Sequence, residues 1–293
     1  MPELPDVVVY LERLEALVGG ATLERIRLAS PWVLRTFDPP ISAVEGKRVT
    51  GFRRIGKRLV FELEDDLFVV VHLMVAGRLR MREPGTAIPK RRGLAAFDFN
   101  TATLLLTEEG TKKRASIHLV RGEERLADHD RGGVEPFDAS LEDFTDALRR
   151  ERHTLKRSLT DAKLFSGIGG AYADEIMHRA KVSPVVRTDR LADDEIARLH
   201  AASREVLGEW VDRLRIEAGE GFPEKVTAFR DEMAVHGKFG QPCPVCGKPV
   251  QRIVYASNET NYCAECQTGG RILADRALSR LLREDFPRTL EEE

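Results

Sequence analysis

No apolar run in the 293-residue chain reaches the ~20 residues that a bilayer span requires. The longest, residues 67–77, is interrupted by His72. Residues 1–20 are not expected to act as a secretory leader: they carry Glu3, Asp6, Glu12 and Glu15 among short apolar pieces, the wrong charge sign and the wrong run length. The expected location is therefore the cytoplasm. Cysteine is absent outside residues 243–266, which excludes a disulfide framework spread over the fold. No excess of either charge exists, since 46 Lys and Arg face 48 Asp and Glu, and a uniformly basic nucleic-acid binder is excluded. No internal repeat or low-complexity tract is visible, which removes solenoids. What is present, 42% hydrophobic and 32% charged residues, is the composition of a globular chain with enough core for about two domains.

The charge is segregated along the chain. Residues 47–58 hold six basic groups (Lys47, Arg48, Arg53, Arg54, Lys57, Arg58) and no acid, and residues 111–121 hold Lys112, Lys113, Arg114 and Arg121, again without an acid. The last ten residues carry five acids against one Arg. A basic face that attracts phosphates can coexist with an acidic tail, although ordinary solvated faces would give the same pattern.

All four cysteines fall in two Cys-x-x-Cys knuckles, Cys243/Cys246 and Cys263/Cys266, separated by sixteen residues. Four thiolates so arranged give one Zn²⁺ its closed tetrahedron with no open position, so the metal is structural. Disulfides are the alternative, and a reducing compartment disfavours them. Between the knuckles, residues 249–255 and 261–262 predict two short strands joined by a polar turn at 256–260. So small a hairpin folds on its metal.

Helical spacing of Leu4, Val7, Val8, Leu11, Leu14 and Leu17 predicts a helix over 5–18, ended by Gly19-Gly20. Short β-type runs follow at 23–28, 48–54, 59–63, 67–73, 77–81, 95–99, 103–107 and 116–120, which predicts a β-sandwich or barrel. After Gly132-Gly133 helices take over, at 141–150, 155–159, 171–179 and 195–216, and the glycine-rich residues 219–240 predict a flexible loop leading to the cysteines. The expected class is α+β, with domains at 1–133, 134–236 and 237–293.

The start reads Met1-Pro2-Glu3-Leu4-Pro5-Asp6. A small second residue permits removal of Met1, and the chain would then begin with a secondary amine. A terminal amine has a reference pKa of about 7.7–8.0 and needs only a modest downward shift to be neutral and nucleophilic. The positive end of the first helix favours that shift. Neutral amines form Schiff bases with carbonyl-like carbons, and Glu3 is placed to move protons. Pro2 and Glu3 alone would equally suit a frayed terminus with a helix-favouring acid.

The Met-Pro-Glu-Leu-Pro start, the turn Ile55-Gly56-Lys57-Arg58, the interhelical Gly167-Ile168-Gly169-Gly170-Ala171-Tyr172-Ala173-Asp174-Glu175-Ile176 and the four-Cys finger occur together in that order. Together they resemble the formamidopyrimidine-DNA glycosylase and endonuclease VIII family over essentially the whole chain. The resemblance implies an N-terminal β-sandwich with flanking helices, a helix-two-turns-helix domain, a zinc-finger hairpin and a DNA cleft between the halves. It implies excision of an oxidised or ring-opened base from double-stranded DNA by a monomer, followed by β/δ-elimination at the abasic site. On the same basis Pro2 is the expected nucleophile at C1′, Glu3 the acid/base and Lys57 a phosphate-contacting catalytic lysine. Lys156 is a further basic contact, and Gly169 and Gly170 offer backbone N–H groups to a phosphate. A plain tight turn would also explain those glycines.

Four departures from the family pattern are visible. Relatives carry His-Leu-Gly-Met where this chain reads His72-Leu73-Met74-Val75-Ala76-Gly77, so Val75 takes the methionine register and Met74, if on a strand, faces the other way. The Asp-x-Arg-Arg-Phe-Gly wedge is replaced by Glu109-Gly110-Thr111-Lys112-Lys113-Arg114-Ala115. Gly170 stands for an asparagine, and Asn258 for the arginine that clamps a phosphate, a guanidinium fork become a neutral amide. The cations Lys112, Lys113 and Arg114 are expected to compensate electrostatically. A non-catalytic or lyase-only binder of abasic DNA on the same scaffold is the alternative, and a zinc-stabilised module acting on RNA or protein is a third reading.

Overall fold

In the computed structural model, residues 1–110, 112–255, 258–273 and 288–289 are described. Helix α1 (Leu4–Val18) buries Leu4, Val7, Leu11, Leu14 and Val18 along one face. Glu3 is its N-cap, and the Glu3 N–H donates to Asp6 Oδ2 at 2.9 Å, so the first turn closes on its own second acid. The helix stops at Gly19-Gly20, where Gly20 takes φ +73°.

Eight strands follow: β1 (Thr22–Leu28), β2 (Lys47–Ile55), β3 (Arg58–Leu63), β4 (Leu67–His72), β5 (Gly77–Arg82), β6 (Gly93–Phe99), β7 (Thr103–Glu108) and β8 (Ser116–Arg121). All pair antiparallel in the order β5-β7-β6-β1-β2-β3-β4-β8. Only two residue pairs join β1 to β2, Thr22 with Arg48 and Leu23 with Lys47. The sheet therefore folds at that seam into two layers, which is the sandwich expected from the alternating runs. Phe61 of one layer meets Phe97 of the other edge to face at 5.4 Å, and Leu59, Val69, Val71, Leu79, Leu104, Leu106 and Ile117 close the same core together with α1. Each such side chain contributes about 1.5–3 kcal/mol by leaving water, so this interior is the main stabilising element of the layer pair.

Short helices α2 (Ile41–Val44) and α3 (Glu123–Ala127), too brief for a periodicity signal, punctuate the sandwich. Beyond them lie α4 (Leu141–Arg149), α5 (Leu155–Thr160), α6 (Gly170–Arg179), α7 (Asp193–Ala218), the hairpin β9 (Val250–Tyr255) and β10 (Asn258–Cys263), and α8 (Ala264–Thr268). Ser140 caps α4 by accepting the Asp143 N–H at 3.1 Å, and Phe144 packs on Phe165 at 4.8 Å.

The chain divides into two units, Met1–Arg131 with Trp210–Thr227, and Gly132–Glu209 with Ala228–Glu293. The α+β class is as expected, with three local corrections. The strand β10 begins at Asn258, so residues 258–260 of the expected turn at 256–260 are strand; residues 256–257 lie outside the described residues, as does most of the acidic tail. Pairing of Asn258 with Tyr255 extends the ladder through polar residues that carry no alternation signal.

Residues 219–240 lack helix and strand but are pinned. In the first unit Arg13 Nε donates to the Gly221 carbonyl at 2.8 Å, Phe222 packs on Tyr10 at 5.3 Å and Glu224 pairs with Arg80 and Arg82 at 2.9 and 2.6 Å. In the second, Glu175 accepts the N–H groups of Ala234, Val235 and His236 at 2.8–2.9 Å. Met74 is also not on a strand. It sits in the turn between β4 and β5 at φ +52°, so strand alternation does not decide its direction.

Candidate active site and metal centre

The amino terminus, Glu3 and Lys57 converge in the first unit. Pro2 and Glu3 are buried, Glu3 to 3% exposure. Lys57 reaches them from the β2–β3 hairpin, whose two-residue turn Gly56-Lys57 needs the positive φ of Gly56 (+59°). Burial pushes the amine of Met1, the residue ahead of Pro2, below its usual range. Glu3 opposes that shift, Arg78 and Lys57 add to it, and Asp6 opposes it. Burial likewise lowers the Lys57 ammonium, against the attraction of Glu3. A partly desolvated amine beside a carboxylate and a lysine can act as a nucleophile with a proton acceptor in place.

Half of the expected basic face at 47–58 is paired with acids. Lys47 pairs with Asp65 at 2.5 Å, Arg48 with Glu64 at 3.2 Å, and Arg53 with Glu62 at 2.7 Å and with Glu123. Glu62, Glu64 and Asp65 follow the basic run by only a few residues, in β3 and the turn after it, and antiparallel pairing folds them back onto it, whereas Glu123 comes from α3. By contrast Lys112, Lys113 and Arg114 are all exposed, and neither Lys112 nor Arg114 has a side-chain partner among the described residues.

Beside Lys57 the strands gather a group that sequence reading missed. His72 of β4 pairs with Arg58, His118 of β8 stacks edge-on with His129 at 4.9 Å, and Arg58 Nη1 donates to the His129 carbonyl at 3.2 Å. Burial first, then neighbouring cations, press His72 and His118 each down to about 4. His72 and His118 are far apart in sequence and antiparallel register brings them together, while the turn after α3 adds His129.

In the second unit Lys156 is engaged rather than free: Nζ donates to Asp174 Oδ1 and to the Glu259 carbonyl, both at 2.7 Å. Asp174 is fully buried and also takes His236 Nδ1 at 2.8 Å and the Asn261 N–H at 3.2 Å. Lys156 therefore keeps one N–H to offer. Asn258 is exposed at the start of β10, next to Glu259. Gly169 is the N-cap of α6 in an extended conformation and Gly170 its first residue, with open space where a Cβ would stand. The Asp174 and Glu175 hub could have been found, since both lie within the glycine-rich motif.

The four cysteine Sγ atoms lie within 4.8 Å of one another, with Cys246 and Cys263 at 3.4 Å and Cys243 and Cys266 at 3.9 Å. Zn–S bonds of about 2.3 Å in a tetrahedron put sulfurs about 3.8 Å apart, whereas a disulfide needs about 2.05 Å. The donor set fits one structural zinc and not two disulfides. No helix among the described residues is long and apolar enough to cross a membrane.

Residues 1–116 match the family described as formamidopyrimidine-DNA glycosylase N-terminal domain, 133–218 the formamidopyrimidine-DNA glycosylase H2TH domain, and 240–269 the zinc finger found in FPG and IleRS. A formamidopyrimidine-DNA glycosylase of Thermus thermophilus is 33% identical over 92% of this chain and 100% of its own, and one of Heliobacterium modesticaldum is 31% identical over 91% and 100%. A crystal structure of the Lactococcus lactis enzyme, in complex with DNA containing an oxidised pyrimidine, superposes with TM-score 0.79 at 27% identity, over 91% of this chain and all of that one. Sandwich, helical domain and thiolate finger in this order define the class of zinc-finger DNA glycosylases. This chain belongs to the formamidopyrimidine-DNA glycosylase family, whose members are bifunctional glycosylases and abasic-site lyases of base excision repair.

Proposed function

We propose that the chain, as a monomer in the cytoplasm and at the nucleoid, removes oxidised or ring-opened bases from double-stranded DNA and then cleaves the strand at the abasic site. Removal of Met1 exposes the Pro2 amine. Extrusion of the damaged nucleotide costs a few kcal/mol and delivers C1′ to that amine. The Pro2 nitrogen bonds to C1′, the bond from C1′ to the base breaks, and the base leaves with a proton. Glu3 protonates the ring oxygen as the C1′–O4′ bond opens to the Schiff base; loss of a C2′ proton then expels the 3′ phosphate (β-elimination) and loss of a C4′ proton expels the 5′ phosphate (δ-elimination).

Lys57 would hold the backbone phosphate beside the lesion. Lys112, Lys113 and Arg114 on their loop, and Lys156, Gly169, Gly170 and Asn258 in the helical and zinc parts, are proposed as further DNA contacts. The bound zinc fixes the hairpin that carries Asn258, and Cys243, Cys246, Cys263 and Cys266 hold it.

The observation that carries this reading is the burial of Pro2 and Glu3 at the amino terminus with Lys57 beside them, in surroundings that already push the Met1 amine toward its neutral form. The test is a panel of lesion duplexes given to the protein and to Pro2→Gly, with base release and strand cleavage scored separately and borohydride added to trap a Schiff base. A trapped adduct with the protein and a large loss of base release in the variant are expected. Base release by protein that still carries Met1, at the rate of processed protein, would overturn the amine as nucleophile.

A further inference from the structure

Lys57 sits in a turn of two residues, Gly56-Lys57, closed by the pair Ile55 and Arg58 at the ends of β2 and β3. Two-residue turns differ chiefly in the direction of their central peptide, here the one that joins Gly56 to Lys57. That peptide takes no bond from the ladder of its own hairpin, so its carbonyl must be satisfied by water or by a side chain. Turning it by about half a revolution converts one mirror-image turn type into the other. The strands keep their register, but the residue that follows the peptide is tilted. Gly56, at φ +59°, suits either type, whereas Lys57 does not take a positive φ, which selects the type with glycine at the first central position.

Arg54 reaches over Ile55 to this peptide: its Nη1 donates to the Gly56 carbonyl at 2.6 Å. The bond is charge-assisted, and only one of the two turn types directs the carbonyl toward it. On the other side of the turn Arg58 Nη1 donates to the His129 carbonyl at 3.2 Å, which ties the first residue of β3 to the turn after α3. We propose that Arg54 is a positioning residue that acts through Lys57: by holding the Gly56 carbonyl it fixes the central peptide of the turn and so the direction in which Lys57 points. Arg58 and His129 supply the second tie. This rests on the role given to Lys57 above and adds what keeps that residue aimed. Lysine carries its charge on a flexible four-carbon stem and loses much rotamer freedom when it is ordered, so an ammonium that has to meet one phosphate gains from a backbone that does not turn beneath it.

The test is a double-mutant cycle on base release from a duplex carrying one ring-opened guanine, with protein in excess so that slow rates are still read. Arg54→Ala is expected to release the base about tenfold more slowly, the factor that one lost charge-assisted hydrogen bond represents. In a Lys57→Ala background the same replacement should change the rate by less than about twofold, because its effect passes through a side chain that is no longer there. Arg54→Lys keeps the charge and a donor without the planar fork, and should fall between parent and Arg54→Ala. It carries the same cycle if the alanine variant does not fold. Borohydride trapping on an unpaired abasic strand checks that each variant is folded and keeps its amine. Equal slowing in both backgrounds would mean that Arg54 touches DNA itself or only supports the sandwich, and a parental rate in Arg54→Ala would mean no role; either overturns the proposal. A parental rate in Lys57→Ala would instead overturn the role of Lys57, and a parent protein that leaves the ring-opened guanine in place would overturn the base-release reading; this role falls with either.

Discussion

The imidazole Nε2 of His178 lies 3.3 Å from Sγ of Cys243. His178 is 5% exposed on α6, so its N–H needs an acceptor inside the protein, and the thiolate of a zinc ligand is the one it meets. A donor of this kind stabilises the anionic form of the ligand and fixes its direction.

Replacing His178 by phenylalanine keeps the bulk and removes the donor. Zinc should then pass to a colorimetric chelator about tenfold faster, at the low end of what such partners are worth. Cys246→Ser should lose the metal altogether, seen as zinc content by elemental analysis. An unchanged transfer rate in His178→Phe would reduce the contact to packing.

Arg78 lowers the pKa of the Met1 amine, and once Met1 is removed the same cation is expected to act on the Pro2 amine in the same sense, so that its removal raises that pKa. With the cation gone, a smaller fraction of amine is neutral at a given pH. The acid limb of the kcat/KM profile should therefore move to higher pH in Arg78→Ala, while the rate at alkaline pH stays close to that of the parent. Profiles that coincide at every pH would remove Arg78 from this role.

His72 and His118, held near 4 against an ordinary value of 6.5, are neutral in the folded chain across the physiological range. As pH falls from 6.5 towards 4 the unfolded chain takes up protons that the folded chain refuses, so stability is complete above 6.5 and declines through that window. His118 Nδ1 has no hydrogen-bond partner among the described residues. His118→Gln should flatten the fall of Tm between pH 6.5 and 4, read by scanning calorimetry. An equally steep fall would place the acid sensitivity elsewhere.

The three cations at 112–114 extend into solvent, and each phosphate they neutralise releases counterions. Replacing all three by alanine should reduce the slope of log Kd against log salt by up to about 2.7, at 0.9 per contact on duplex DNA. A slope equal to the parent's would mean that the loop does not touch phosphates.

Much of the architecture was readable before any coordinates. The eight strands and four longer helices announced themselves because one side of each is buried, and burial writes a period of 2 or 3.6 into the sequence. Cys243, Cys246, Cys263 and Cys266 were readable because zinc imposes its spacing. What stayed hidden depends on register and long-range closure. His72 and His118 are neighbours only after β4 and β8 pair, and which acid meets which base in residues 47–65 is set by the β2–β3 register. Glu108 read as one more acid in a turn, since nothing local says that its carboxylate will hold Arg114 and Ala115. Lys156 was found by motif, but its engagement by Asp174 was not.

Helix α7 gives residues up to Glu209 to one unit and those from Trp210 onward to the other. Arg215 accordingly binds Glu12 of α1 at 2.6 Å, more than two hundred residues back along the chain. Neither half is a contiguous stretch of polypeptide. A ribosome that has released only the sandwich strands has not yet made the segment that completes their unit, so that unit must wait for most of the protein to be synthesised before it can close.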